Sequence, residues 1–191
     1  MRRLFILPIF LLLVACQTNT TMLVETNIIN KDYDIIGKAS FQEDPKGVKV
    51  KVSLEGLPPG MKGIHIHEFP KCEAPTFESA GNHWNIDDSK HGLMHPEGSH
   101  IGDMPNIEVG SDGKATYEYV LPEATLKDGR GSMFSDGGKS LIIHSNIDDG
   151  VSQPAGNAGE RIACAVITKD AEPTEGENPG DKVEEEKEEE K

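Results

Sequence analysis

Positive charge is scarce in this 191-residue chain: 19 lysines and arginines stand against 33 aspartates and glutamates, a net charge of −14. A surface of that sign repels phosphate backbones, so nucleic acid is excluded as a partner, and the bulk of the chain is repelled by an anionic membrane surface. Long apolar runs are missing as well. The one sustained run, Leu4–Ala15, is twelve residues, whereas a bilayer-spanning helix needs about 20. No segment has a convincing amphipathic helical period, which sets aside helical bundles and α/β folds. Cysteine is limited to Cys16, Cys72 and Cys164. An odd count in an exported chain reads as one pair and one thiol with a separate purpose.

The N-terminus gives that thiol a purpose. Met1-Arg2-Arg3 followed by the apolar run is the pattern of an export signal, residues 1–15. The run ends in Leu13-Val14-Ala15-Cys16, which resembles the bacterial lipobox, so Cys16 is expected to carry lipid; the alternative is an ordinary secretory signal with a chance cysteine. Two acyl chains on one cysteine suffice for stable anchoring. The expected location is therefore extracytoplasmic, on a bacterial cell membrane. Residues 16–21 read as a polar tether, and residues 22–168 as one folded domain. Residues 169–191 are low-complexity and acidic, a composition that does not support a packed core. The tail reads as solubilising, with cation or partner binding as the alternative.

Within the body the pattern is short strands separated by turns. Val48–Leu54 alternates strictly after the turn Asp44–Gly47 and predicts a strand with one face in a core. Met22–Ile29, Tyr33–Phe41, Gly63–Phe69, Leu141–His144 and Arg161–Ile167 read as further strands, with a turn at Gly56–Gly60. Ile107–Val109 and Lys114–Leu121 read as the arms of a hairpin turning at Ser111–Gly113. About eight strands without helices predict an all-β antiparallel sandwich or flattened barrel. Two long stretches, Pro70–Met104 and Ser145–Glu160, carry little strand signal. Ordered loops of such length are usually functional.

Six of the seven histidines lie between Gly63 and Asp103. His65 and His67 are two apart on a predicted strand, so both rings project from one face. His83, His91, His100 and Asp103 follow along a glycine-bearing loop. Three imidazoles and a carboxylate form a tetrahedral N3O set suited to zinc, with no open position for substrate. His144 ends an apolar run and is either a core histidine or a ligand delivered from another strand. Two four-coordinate sites then need one ring to serve both metals, and His83 lies between the groups. An imidazole bound at both nitrogens is reasonable only between two cations. The set His65, His67, His83 and His144 is all-nitrogen and favours copper. A closed zinc beside a copper points to redox catalysis.

The segments G-I-H-I-H-E-F, S-A-G-N-H-W-N, K-H-G, S-H-I-G-D-M-P-N-I, L-I-I-H-S-N-I-D-D and G-N-A-G-E-R-I-A-C-A-V-I resemble the copper/zinc superoxide dismutases, in that family's order, over residues 35–168. The cysteine soon after H-E-F looks like the exported bacterial branch. The resemblance implies an eight-stranded antiparallel Greek-key barrel or sandwich with two long functional loops, one copper and one zinc per subunit, and superoxide as substrate. It implies copper on His65, His67, His83 and His144, and zinc on His83, His91, His100 and Asp103. Asp148 matches the carboxylate that hydrogen-bonds a ligand histidine on each metal. Arg161 matches the arginine at the channel mouth, which binds the anion and also bonds backbone carbonyls. His83 is expected to leave the copper and take up a proton in the reduced half-cycle, so Arg161 and His83 are the catalytic pair. Cys72 and Cys164 match the family's disulfide. His95 matches no ligand and is expected at the surface. Only G-V-S-Q-P-A lies between Asp149 and Gly156, without the lysine of the longer loop in eukaryotic relatives. Steering then falls to Arg161 and to lysines elsewhere, such as Lys71 or Lys90, with a weaker salt dependence of rate than in lysine-loop relatives. The alternative function is a non-enzymatic copper- and zinc-binding lipoprotein of the same fold.

Overall fold

The structure, a computed structural model, describes residues 22–170. The expected signal segment 1–15, Cys16, the tether 16–21 and the tail beyond residue 170 lie outside the described residues.

Nine strands run in chain order: β1 (Leu23–Asn30), β2 (Ile35–Asp44), β3 (Gly47–Leu54), β4 (Gly60–Lys62), β5 (Ile64–His67), β6 (Ile107–Val109), β7 (Ala115–Leu121), β8 (Lys139–His144) and β9 (Arg161–Ile167). Seven form one antiparallel sheet in the order β5-β8-β9-β1-β2-β3-β7, and β4 pairs with β6. β4 and β5 are two halves of one bent strand, broken at Gly63, whose carbonyl accepts from His144 N (2.8 Å). Counted that way, the barrel has the eight staves the sequence predicts. The crossings from β3 to β4 and from β7 to β8 skip over neighbours, which makes the winding a Greek key.

Three local expectations are corrected. Gly60, expected to close the turn Gly56–Gly60, instead opens a short ladder, Gly60–Lys62, with β6. The turn at Gly110–Gly113 exists, yet its arms pair elsewhere: β6 with β4, and β7 with β3 along Val48↔Leu121 to Leu54↔Ala115. The long β3–β7 ladder satisfies more backbone groups than a three-residue arm could. Tyr33 belongs to a turn with φ 65°, because Asn30 Oδ1 accepts from both Asp32 N and Asp34 N at 2.9 Å, and β2 begins at Ile35.

Alternation fills the barrel. Val48, Val50, Val52 and Leu54 on β3 meet Phe41, Ile64, Ile66, Leu141 and Ile143 in one core. β5 and β8 differ from the other strands: all their residues are buried. Their inward faces enter the core, and their outward faces are roofed by the two long loops. One roof contact is a second apolar cluster of Ile29, Phe77, Ala80, Ile142 and Cys164. There the disulfide Cys72–Cys164 fastens the first loop to β9. Its 92-residue separation corresponds to about 4–5 kcal/mol in the chain-entropy account, an upper figure. A third loop, residues 122–138, was not singled out by sequence. It buries Ala124, Leu126 and Met133 in the barrel core, and Glu43 clasps it, accepting from Leu126 N (2.7 Å) and Thr125 Oγ1 (2.9 Å).

Candidate metal centre

The outward face of β5 carries His65 and His67, and the first loop is laid along the free edge of that strand in strand-like fashion. His67 bridges His83 and His65 bridges Asp103; Trp84 N donates to Ile66 O (2.8 Å), and Ile66 N to Gly102 O (2.9 Å). This works only with glycine at 102, where a Cβ would collide with the Ile66 carbonyl. A 20-residue excursion thus returns His83 and Asp103 to one strand. β8 supplies His144 beside a bulge.

Two groups result. The nitrogens of His65, His67, His83 and His144 lie within 4.8 Å of one another, and so do the ligand atoms of His83, His91, His100 and Asp103. In the first group each ring keeps one buried nitrogen without any hydrogen-bond partner: His65 Nδ1 and the Nε2 atoms of His67, His83 and His144. Orphaned buried polar atoms are costly, and four converging lone pairs are what a metal would satisfy. The opposite nitrogens are held. His65 Nε2 meets Asp148 Oδ2 (2.7 Å), His67 Nδ1 donates to Gly81 O (3.0 Å), and His144 Nδ1 faces Gly159 O (3.4 Å). Such contacts fix tautomer and ring angle.

In the second group the Nδ1 atoms of His83, His91 and His100 stand 2.9, 3.1 and 3.2 Å from the single oxygen Asp103 Oδ1. One carboxylate oxygen cannot accept three imidazole hydrogens well, whereas ligands about 2.0–2.1 Å from a tetrahedral zinc stand roughly 3.3 Å apart. Asp103 Oδ2 is occupied by Gly92 N (2.8 Å) and His100 N (3.0 Å), which turns Oδ1 toward the rings. His83 is the only ring in both groups, with Nδ1 toward Asp103 and Nε2 orphaned.

Asp148 ties the groups together: Oδ1 faces His91 Nε2 (3.0 Å) while Oδ2 faces His65. Asn106 holds its backbone from both sides, accepting from Asp148 N (2.8 Å) and donating to Asp148 O (2.9 Å). Gln153 clamps the second loop onto the first, accepting from His91 N (2.8 Å) and donating to His91 O (2.9 Å). Gly156, with φ +64°, passes so close that a Cβ would overlap Asp148. Asn106 in M-P-N-I, Gln153 in G-V-S-Q-P-A and Gly156 at the head of G-N-A-G-E-R carry no sequence signal of these roles. Hydrogen bonds across 42 and 62 residues leave no local pattern.

Burial, then the nearby imidazoles, lowers His144 to about 3 and holds His67 well below its ordinary value. Burial, against a hydrogen bond to Asp103, brings His83 to about 4. These rings are neutral at pH 7, as metal ligation requires. Burial also opposes charge on His91, yet Asp103 and Asp148 at its two nitrogens outweigh that and lift it to about 9. Burial alone would raise both carboxylates; the imidazoles and backbone N–H groups around them hold Asp103 and Asp148 well below the usual range.

A cleft of about 570 Å³ opens onto His67, His83 and His144. Arg161 lines it, with Nη1 donating to Phe77 O and Nη2 to Gly81 O, both 2.6 Å. Gly81 O therefore receives both Arg161 and His67. His95 is in neither group, and its Nδ1 accepts from Glu97 N (3.0 Å).

The sequence profile described as "Copper/zinc superoxide dismutase (SODC)" matches residues 35–167. The chain belongs to the copper/zinc superoxide dismutase family. Superoxide dismutase [Cu-Zn] 2 of Aquifex aeolicus is 45% identical over 159 residues, covering 82% of this chain and 93% of that protein. Superoxide dismutase [Cu-Zn] of Caulobacter vibrioides is 42% identical over 134 residues, covering 69% and 77%. The crystal structure of a superoxide dismutase-like protein from Bacillus subtilis matches with a TM-score of 0.72 at 36% identity, over 75% of this chain and 97% of that one. Copper and zinc are the metals of the family, and the two histidine groups described above suit them.

Proposed function

We infer that this chain is an oxidoreductase that converts superoxide to dioxygen and hydrogen peroxide, with copper on His65, His67, His83 and His144 and zinc on His83, His91, His100 and Asp103. The reading is carried by four buried imidazole nitrogens without partners, three of them on rings that line a cleft, beside a group that shares His83. When bound, the copper supplies a reversible one-electron couple and the zinc a fixed dication. Two superoxide anions and two protons give one dioxygen and one hydrogen peroxide. Arg161, held rigidly by two carbonyls, binds and orients the anion at the base of the cleft. His83 holds a proton at Nε2 in the reduced half-cycle and yields it to the departing peroxide. Asp148 keeps His65 and His91 aimed while this happens. A non-enzymatic relative would be expected to have lost a copper-site histidine; this chain has all four and Arg161.

The working place is outside the cytoplasm, a setting in which the Cys72–Cys164 disulfide persists. We further propose lipid on Cys16, a tether at 16–21, a catalytic domain at 22–168 and a solubilising tail at 169–191. Metal analysis of the lipid-free domain with a superoxide assay on wild type and His65→Ala tests the function. Wild type is expected to hold both metals and turn over, and His65→Ala to lose turnover. Copper-loaded wild type no faster than free-ion controls overturns the reading. For the anchor, Cys16→Ser is expected to move the protein from the membrane fraction to the soluble extracytoplasmic one.

A further inference from the structure

Arg161 is held by the carbonyls of Phe77 and Gly81, so its place depends on what holds that stretch of the first loop. Residues 73–81 are tied to themselves. Phe77 N donates to Glu73 O (2.9 Å), Ala80 N to Phe77 O (3.2 Å) and Glu73 N to Ser79 Oγ (3.0 Å). Two fastenings join the start of this segment to the barrel. One is the disulfide at Cys72. The other lies two residues on: Ala74 N donates to Tyr33 Oη (3.2 Å), 41 residues away in the chain.

Tyr33 is an unusual residue for its position. It stands in the turn between β1 and β2 with φ 65°, a left-handed conformation that glycine enters freely and bulky side chains rarely adopt. The turn is secured without its side chain, by the two bonds to Asn30 Oδ1 and by Tyr33 N donating to Asn30 O (3.2 Å). What the tyrosine gains lies across the molecule. Its ring packs against the second apolar cluster together with Cys72 and Ala74, and its hydroxyl accepts from Ala74 N. The segment it meets carries a second bulky residue in the left-handed region, Phe77, with φ 54° and fully buried. Such conformations persist where the surroundings over-determine them, and they collect at functional sites.

We propose that Tyr33 is a positioning residue for Arg161: through Ala74 its hydroxyl sets where the Phe77 and Gly81 carbonyls stand, and these aim the guanidinium into the cleft. The proposal rests on the reading of Arg161 as the residue that binds superoxide. A single fastening at Cys72 leaves the segment free to rotate about it. A second one, two residues on, removes that freedom. The guanidinium is a rigid planar fork, so a carbonyl that shifts takes the fork with it and turns the remaining N–H groups away from the anion.

The test uses copper- and zinc-loaded protein with the disulfide intact, and metal content is measured for every variant. Two quantities are read: the affinity of azide for the cupric form, titrated by its visible absorption, and the second-order rate constant with superoxide. Tyr33→Phe keeps the ring and removes the hydroxyl. It is expected to lower both about threefold, within the worth of one hydrogen bond. Thr125→Val removes a hydroxyl that donates to Glu43 in the third loop (2.9 Å). It is expected to lower Tm by a comparable amount and to move neither quantity. A double-mutant cycle decides the route. Arg161→Gln alone is expected to lower azide affinity about tenfold, the worth of a hydrogen bond to a charged group, and Tyr33→Phe added to it to lower it no further. A loss that persists in the Arg161→Gln background runs through His67 or through the fold at large, and it overturns the proposal. So does Tyr33→Phe with the azide affinity of wild type, or Thr125→Val with the loss expected of Tyr33→Phe. Wild type that binds copper and azide but does not turn over overturns the dismutase reading instead, and the azide cycle still decides Tyr33.

Discussion

The two histidine groups touch, share a ring, and are built in opposite ways. His65, His67 and His144 come from β5 and β8, strands tied into the barrel by antiparallel ladders with a single bulge at Ile143–His144. Each ring is held at one nitrogen and presents the other. His91, His100 and Asp103 come from a loop whose shape depends on what the carboxylate gathers. The barrel sets the strand-borne group in advance. The loop-borne group has to order backbone at about 1–2 kcal/mol per residue, and a bound cation with the disulfide is the natural source. On the proposed assignment, the copper ligands would be presented rigidly for repeated electron exchange, and the zinc ligands gathered into a closed knot.

Reducing the disulfide should divide the two groups most sharply. Cys72→Ser with Cys164→Ser is expected to lower stability by about 2–5 kcal/mol. It should also speed amide exchange in the first loop while β5 and β8 stay protected, as read by hydrogen-exchange mass spectrometry. Asp148→Asn attacks the link between the groups. Substitutions behind metal ligands cost about 10–100-fold in metal affinity. Here the loss should appear in both metals, by competition with chelators. His67→Ala should separate them, lowering copper retention while the visible spectrum of cobalt in the zinc position stays unchanged. A cobalt spectrum altered as strongly as in Asp148→Asn would refute the division.

The smallest effect belongs to a loop fastened without metal. Burial alone would raise Glu43, but Leu126 N, Lys127 and Thr125 bind its carboxylate and hold its pKa below the ordinary value of 4.5. A folded pKa below the unfolded one stabilises the protein above the unfolded value, and the gain is lost as pH falls through the folded value. Glu43→Gln is thus expected to cost about 0.5–1.5 kcal/mol at pH 7, and the gap in Tm to wild type should close below pH 4.5. A gap that widens on acidification would contradict the clasp.

Ligand chemistry was legible because it is carried by residue type: His65 and His67 face one way on any strand, and His83 was the only ring placed to serve both groups. The all-β architecture was legible in the strict alternation of Val48–Leu54. The break at Gly63 was not, because whether a strand changes partners depends on who lies beside it. The arms of the Gly110–Gly113 turn misled for the same reason: a turn is local, but pairing is decided by the sheet. Asn106 and Gln153 act on backbone far away in sequence, and nothing about an asparagine or a glutamine in a loop announces that.

The double use of His83 and Asp148 has a thermodynamic consequence. Filling either metal position fixes a ring or a carboxylate on which the other depends, so part of the ordering cost of the second binding is met by the first. On the proposed assignment this shared ordering favours cooperative occupancy, and linkage makes the coupling reciprocal. Whatever factor zinc adds to copper affinity, copper adds to zinc affinity. Either metal, taken up first, favours the fully loaded protein over the half-filled one.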